Sequence, residues 1–262
     1  MATTTMRSVA NGACSVRVWE SGAGRALLYL HGFEGHDGGA PFLEQLAAKH
    51  RVFAPEAPGF GESSGIEQID GILDLVLVYR QLVEALGLGK VDLIGHSLGG
   101  MFAAEFAAIC PQHVRRLVLV SPFGLWLEEA EIPDFLAMSA GQLARATWHD
   151  PESAAAQAAQ RQITNGASPI ATAVQRASNL AVAGKFLWPI PDRGLQKRLP
   201  LIAAPTLVIR GASDKLIPAP YGEAFQRLIP HARLETIADA GHTPQAEQPD
   251  SFLAAVEPFL MT

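Results

Sequence analysis

Residues 90–106 read "KVDLIGHSLGGMFAAEF". Val91 to His96 have no alternating polar face, as expected of a strand buried on both sides of a sheet. A serine bracketed by glycines follows directly, and then a stretch of small residues with helical period. Gly95-His96-Ser97-Leu98-Gly99 matches Gly-x-Ser-x-Gly, a pattern that is weak by itself but gains weight between an incoming strand and an outgoing helix. Such a turn strains the serine backbone, and only bare neighbours such as Gly95, Gly99 and Gly100 accommodate it. It would lift the Ser97 hydroxyl above the sheet edge and aim the Leu98 N–H, in the first helical turn, at any oxyanion formed there. A tight turn with a capping serine explains the same residues. Ser97 therefore needs support from elsewhere in the chain.

Working outward, "SVRVWES", "ALLYLHG", "RVFAPEAPG", "RLVLVSP", "TLVIRGASD" and "ARLETIADAGH" read as further strands, and after the first few they alternate with helical stretches. The clearest helix is expected at 67–86, with Ile69, Ile72, Leu73, Val76, Tyr79, Val83 and Leu86 on one face and Gly87 closing it. This alternation predicts an α/β fold built on a mostly parallel twisted sheet flanked by helices. It breaks between Ser121 and about Leu199, where several short helical stretches interrupted by Pro and Gly are inserted. Trp126, Trp148 and Trp188 fall in this insertion, with Phe123, Phe135, Met138 and Phe186. As a group they are expected to divide between the insertion's own core and the lining of an apolar pocket, for which Phe123, Trp126, Met138, Trp148 and Trp188 are the candidates.

The chain has 262 residues, 48% hydrophobic and 18% charged, and carries a formal charge of −6 with no basic run. It is long enough to bury a large core, and a nucleic-acid partner is not expected. No stretch of about twenty apolar residues suggests a membrane span, and the first residues resemble no secretory signal. Cys14 and Cys110 fit no metal spacing or disulfide framework, which agrees with a reducing, cytoplasmic setting. "GFGES" lacks the Lys-Ser/Thr ending of a phosphate-binding loop, and no His pair or Cys cluster suggests a metal, so no cofactor is expected.

A neutral serine hydroxyl needs a base, and the base needs an orienting acid. Asp214 lies just past the strand "TLVIRG", in "GASDKLIP", and His242 just past the next strand, in "ADAGHTP". Each candidate follows the carboxyl end of a strand, where α/β sheets gather their chemistry, and the order Ser97, Asp214, His242 suits this architecture. His31 is expected to hold a neighbouring loop, and His96 to pack at the turn. His36 and His50 read as surface or helix-end residues.

With "LYLHGF" at 28–33, "APEAPGFGES" at 54–63, "GHSLGG", "GASDKLIP" and "AGHTPQAEQPDSF" in this order, the chain resembles the α/β-hydrolase superfamily. The resemblance implies a hydrolase core at 1–121 and 200–262, a helical cap or lid at 122–199, and a second oxyanion N–H from Phe33 beside that of Leu98. It implies a serine hydrolase, and the large apolar side chains and low net charge of the insertion favour small to medium, largely apolar carboxylic esters, with a lactonase, a thioesterase or a meta-cleavage carbon–carbon hydrolase as alternatives. Ser97 departs from the aspartate nucleophile of haloalkane dehalogenases and epoxide hydrolases. Thr243 stands where carbon–carbon hydrolases usually carry Trp, and Glu56 where the family usually has Asp. A slow small-molecule receptor on the same fold is the alternative of another class. The expected partner is a small-molecule substrate, and exposed apolar residues of the insertion leave a homo-oligomer open.

Overall fold

Among the described residues, eight strands form one sheet. In the computed structural model the described residues are 1–36, 38–164, 166–187 and 192–262, without the side chains of 162–164. The strands are β1 (Thr3–Val9), β2 (Cys14–Ser21), β3 (Ala26–Leu30), β4 (Arg51–Pro55), β5 (Val91–His96), β6 (Val114–Val120), β7 (Thr206–Gly211) and β8 (Arg233–Ile237), and they lie across the sheet in the order β1-β2-β4-β3-β5-β6-β7-β8. The pairs β1/β2 and β2/β4 are antiparallel, and all the others are parallel.

The helices are α1 (Pro41–Ala47), α2 (Ile72–Ala85), α3 (Leu98–Ile109), α4 (Ala140–Thr147), α5 (Ala154–Thr164), α6 (Pro169–Leu187), α7 (Leu195–Arg198), α8 (Ala219–Leu228), α9 (Pro244–Glu247) and α10 (Pro249–Met261). Two cores sandwich the sheet. Leu28, Leu30, Leu93, Leu117 and Leu119 point toward α2, α3 and α8, while Leu27, Tyr29, Ile94, Val118 and Val120 point toward α1 and α10. This alternation of period two, apolar on both faces, explains why the central strands read as unbroken hydrophobic runs.

Two expectations change. β1 was not expected; its "TTTMRSV" is exposed along most of its length, as suits a polar edge strand paired on one side only. The helix expected at 67–86 begins at Ile72, because the Asp74 carboxylate accepts from the Asp70 and Gly71 N–H groups and caps it there. Ile69 is buried all the same, ahead of the helix.

The chain between β6 and β7 carries α4 to α7 and is tied back to the sheet half at several points. Lys185 Nζ donates to the Ile66 carbonyl at 3.0 Å, and Leu127 N–H to the Tyr221 hydroxyl at 3.0 Å. The strongest tie is ionic: Arg198 grips both carboxylate oxygens of Glu105, on α3, at 2.5 and 2.7 Å, and Glu105 is only 2% exposed. A carboxylate that deep is stable only with its partner in place. Arg198→Ala should therefore cost about 3 kcal/mol of unfolding free energy in urea titration, and adding Glu105→Gln should recover much of it; a loss below about 1 kcal/mol would show that the pair holds little.

Candidate active site

Ser97 joins β5 to α3 with φ 58° and ψ −119°, a conformation that non-glycine residues seldom adopt. Its neighbours show why the turn must be bare. A Cβ on Gly99 would stand 2.2 Å from the Leu30 carbonyl oxygen, and one on Gly95 would stand 2.3 Å from that of Gly99. The kink is pinned from both sides, since Ser97 N–H donates to the Val120 carbonyl at 2.8 Å and the Ser97 carbonyl accepts from Phe123 at 3.1 Å.

The three polar residues singled out in the sequence meet here. Ser97 Oγ is 2.8 Å from His242 Nε2, and His242 Nδ1 is 3.0 Å from Asp214 Oδ2. The other carboxylate oxygen of Asp214 accepts from the Leu216 and Ile217 N–H groups, both at 2.9 Å. Burial alone would raise the Asp214 carboxyl, but the His242 charge and these N–H donors outweigh it and hold the group below its ordinary value. The carboxylate is thus kept ionised opposite the imidazole.

The turn after β3 lies against this chain of bonds. A Cβ on Gly32 would meet the Ser97 Cβ at 3.1 Å, so Phe33 begins beside the serine. Leu98 opens α3, and its N–H has no intrahelical carbonyl to bond. His31 holds the turn as expected: its Nε2 accepts from Ala57 N–H at 2.9 Å, and Nδ1–H donates to the Gly32 carbonyl at 2.7 Å. His96 does more than pack, because its Nε2–H donates at 2.9 Å to the His242 carbonyl and steadies that loop. His50, read as a surface or helix-end residue, stands just past the end of α1, where its N–H donates to the Leu46 carbonyl at 3.0 Å, and is only 2% exposed.

A cleft of about 560 Å³ opens over Ser97 and His242. Its walls are mixed. Phe33, Phe42, Phe60 and Trp148 are apolar, Ala155, Ala158 and Ala159 give α5 a small-residue face, and Gln175 and Asn179 of α6 are polar. Asn179 Nδ2 donates to the Glu34 carbonyl at 3.1 Å, tying α6 to the turn after β3. At the far end Arg17 meets Glu56 at 2.6 Å, and Glu56 also accepts from Glu62 N–H at 2.9 Å. Glu56, unusual for its position, thus builds the cleft wall.

Of the five aromatic and Met candidates for this lining, Trp148 reaches the cleft. Phe123 and Trp126 instead line a separate apolar hollow of about 40 Å³ with Phe135 and Phe186, and Met138 packs half-buried against the core. Phe123 remains near the chemistry, its ring centroid 5.8 Å from that of His242. Trp188 lies outside the described residues. The large side chains mostly fill the insertion's own core, so the cleft is more polar than composition suggests. Glu34, His36, Gln175 and Asn179 were missed because nothing in their local sequence marks them as facing a cavity.

Among the described residues no group of three His, Cys, Asp or Glu is placed to hold a metal. Cys14 and Cys110 are free and buried, and no described helix is long and apolar enough to cross a membrane.

Burial pushes His31 down to about 4, and His36 and His96 down to about 3. The unfolded chain would bind protons on these rings near pH 6.5, whereas the folded chain refuses them. Stability is therefore full above about pH 6.5 and is lost as pH falls toward 4 and 3. Tm measured at steps from pH 7.5 to 4 should fall steadily below about 6.5; a flat profile would mean that these histidines are not buried neutral.

The sequence matches the Alpha/beta hydrolase family over residues 27–256. It is 29% identical over 258 residues to a pimeloyl-[acyl-carrier protein] methyl ester esterase of Xanthomonas oryzae pv. oryzae (strain MAFF 311018), an alignment covering 91% of this chain and 96% of the relative. It is 27% identical over 255 residues to the 2-hydroxy-6-oxo-6-phenylhexa-2,4-dienoate hydrolase of Burkholderia cepacia, covering 89% and 86%. In fold it is similar to the crystal structure of a membrane phospholipase A, with a TM-score of 0.83 and 23% identity, covering 99% of this chain and 86% of that one. With a mostly parallel sheet, Ser97 at the end of the central strand β5, and a family match over residues 27–256, the chain belongs to the α/β hydrolase family.

Proposed function

We propose that the protein is a serine hydrolase that cleaves neutral carboxylic esters through an acyl-enzyme, with residues 122–199 as its cap. The observation that carries this reading is the unbroken chain Ser97 Oγ, His242, Asp214, with Ser97 held in its strained turn. His242 takes the Ser97 proton as Oγ attacks the ester carbonyl, and Asp214 keeps the imidazole in the tautomer that can accept it. The N–H groups of Phe33 and Leu98 receive the oxyanion, each such donor being worth about 3 kcal/mol of barrier. His242 then protonates the departing alcohol and activates the water that frees the acid. No step requires a metal or organic cofactor.

Charge in the cleft favours an ester over the dienoate of the Burkholderia cepacia relative. Among the described residues lining it, the permanent cation is Arg17, already bonded to Glu56, while Glu62 adds a further carboxylate and Glu34 a carboxyl that burial pushes up from its ordinary value. A substrate carboxylate would lose its hydration there without gaining a free guanidinium or ammonium.

A fluorophosphonate probe should label the wild type and leave Ser97→Ala unlabelled, and p-nitrophenyl butyrate should be turned over with a kcat lowered at least about 10³-fold in Asp214→Asn. An unlabelled wild type, or equal labelling of Ser97→Ala, would defeat the nucleophile assignment. Labelling without turnover would point to a receptor, and clear preference for a vinylogous diketone over matched esters, lactones and thioesters would replace the esterase reading with carbon–carbon hydrolysis.

A further inference from the structure

β8 is the last strand of the sheet, so the loop that carries His242 has a strand neighbour on one side only. On that side it is held by the acid loop, where Ser213 N–H donates to the Ala240 carbonyl at 2.8 Å. On the other side the support comes from the insertion. His242 N–H donates to the Thr147 carbonyl at 2.6 Å. The Glu247 carboxylate spans the same boundary: Oε1 accepts from Gly241 N–H at 2.8 Å and from the Thr243 hydroxyl at 3.1 Å, and Oε2 accepts from His149 N–H at 2.7 Å. The acid loop is tied to the same short segment, with Lys215 N–H on the Ala146 carbonyl at 3.3 Å and the His149 ring 2.8 Å from the Ser213 hydroxyl. The fit is tight, since a Cβ on Gly241 would stand 2.3 Å from the Thr147 carbonyl oxygen.

Resting on the serine-hydrolase reading, we propose that Glu247 is a positioning residue: it latches the histidine loop to residues 146–149 of the insertion, and the latch aligns His242 with Ser97. Glu247 does not line the cleft, although Gln245, Ala246 and Pro249 around it do. It acts on the base through the backbone on either side of His242 and touches no substrate. Its two oxygens do separate jobs, one on the histidine loop and one on the insertion, and charge-assisted bonds of this kind are the stronger sort. An amide has one oxygen and serves only one of them. Alanine serves neither.

The test compares wild type, Glu247→Gln and Glu247→Ala. Small errors in the placement of a catalytic group cost rate steeply, up to about 10²-fold for about 1 Å. On p-nitrophenyl butyrate, kcat should therefore fall about tenfold in the Gln variant and about a hundredfold in the Ala variant, with KM within about twofold of wild type. Hydrogen exchange should quicken in peptides spanning 146–149 and 241–243 and stay unchanged in β3, β5 and β6. A kcat near wild type in both variants, or exchange that quickens evenly along the chain, would overturn the proposal; the latter would make Glu247 a general stabiliser. If the wild type neither hydrolyses the ester nor reacts with the fluorophosphonate, the hydrolase reading fails, and exchange alone decides the latch: local quickening supports it and no quickening overturns it.

Discussion

Everything in this site depends on one tight reversal of the backbone, at Ser97. The residue sits at φ 58°, and the space around it is so short that side chains on Gly95 or Gly99 would strike backbone carbonyls. Hydrogen bonds to β6 and to Phe123 hold a conformation that the chain would otherwise leave. The strain has a use: it lifts Oγ out of the sheet and leaves the first N–H of α3 without an intrahelical partner. Pairing β5 with β3 on one edge and β6 on the other holds the strand in place and leaves the turn no slack.

Much of this could be read from residues alone, and the reason is physical. A parallel strand covered by helices on both sides must be apolar throughout, so "VDLIGH", "LVLV" and "TLVIRG" mark the sheet plainly. A polar residue just beyond such a run has few reasons to be there apart from chemistry, which is how Asp214 stands out; His242 follows the mostly exposed edge strand β8 and stands out by its place in the chain order Ser97, Asp214, His242. β1 was not legible because an edge strand needs no hydrophobic signature. The start of α2 was misjudged because the apolar period runs through Ile69, whereas the Asp74 cap decides where the helix begins.

The insertion was the least legible part. A helix can turn its bulky residues toward its neighbours or toward a cavity, and composition is the same in both cases. Phe123, Trp126, Phe135 and Phe186 gather around a hollow of their own, while the cleft receives Trp148, three alanines, a glutamine and an asparagine. Small residues on α5 make room and polar ones on α6 make contacts. Cavity walls are chosen for the volume they leave free as much as for the surface they present.

The bonding of residues 146–149 also redraws where the insertion ends. In chain order this segment is part of the helical addition, but its hydrogen bonds go to Asp214's and His242's loops. For anyone exchanging such insertions between relatives, the boundary that keeps these bonds lies after Asp150, ahead of α5 and α6. A graft that starts at 122 removes the bonds that Thr147 and His149 make to the histidine loop and to Glu247, whereas one that starts after Asp150 keeps them and exchanges the cleft wall together with the ties of Asn179 to Glu34 and of Lys185 to Ile66.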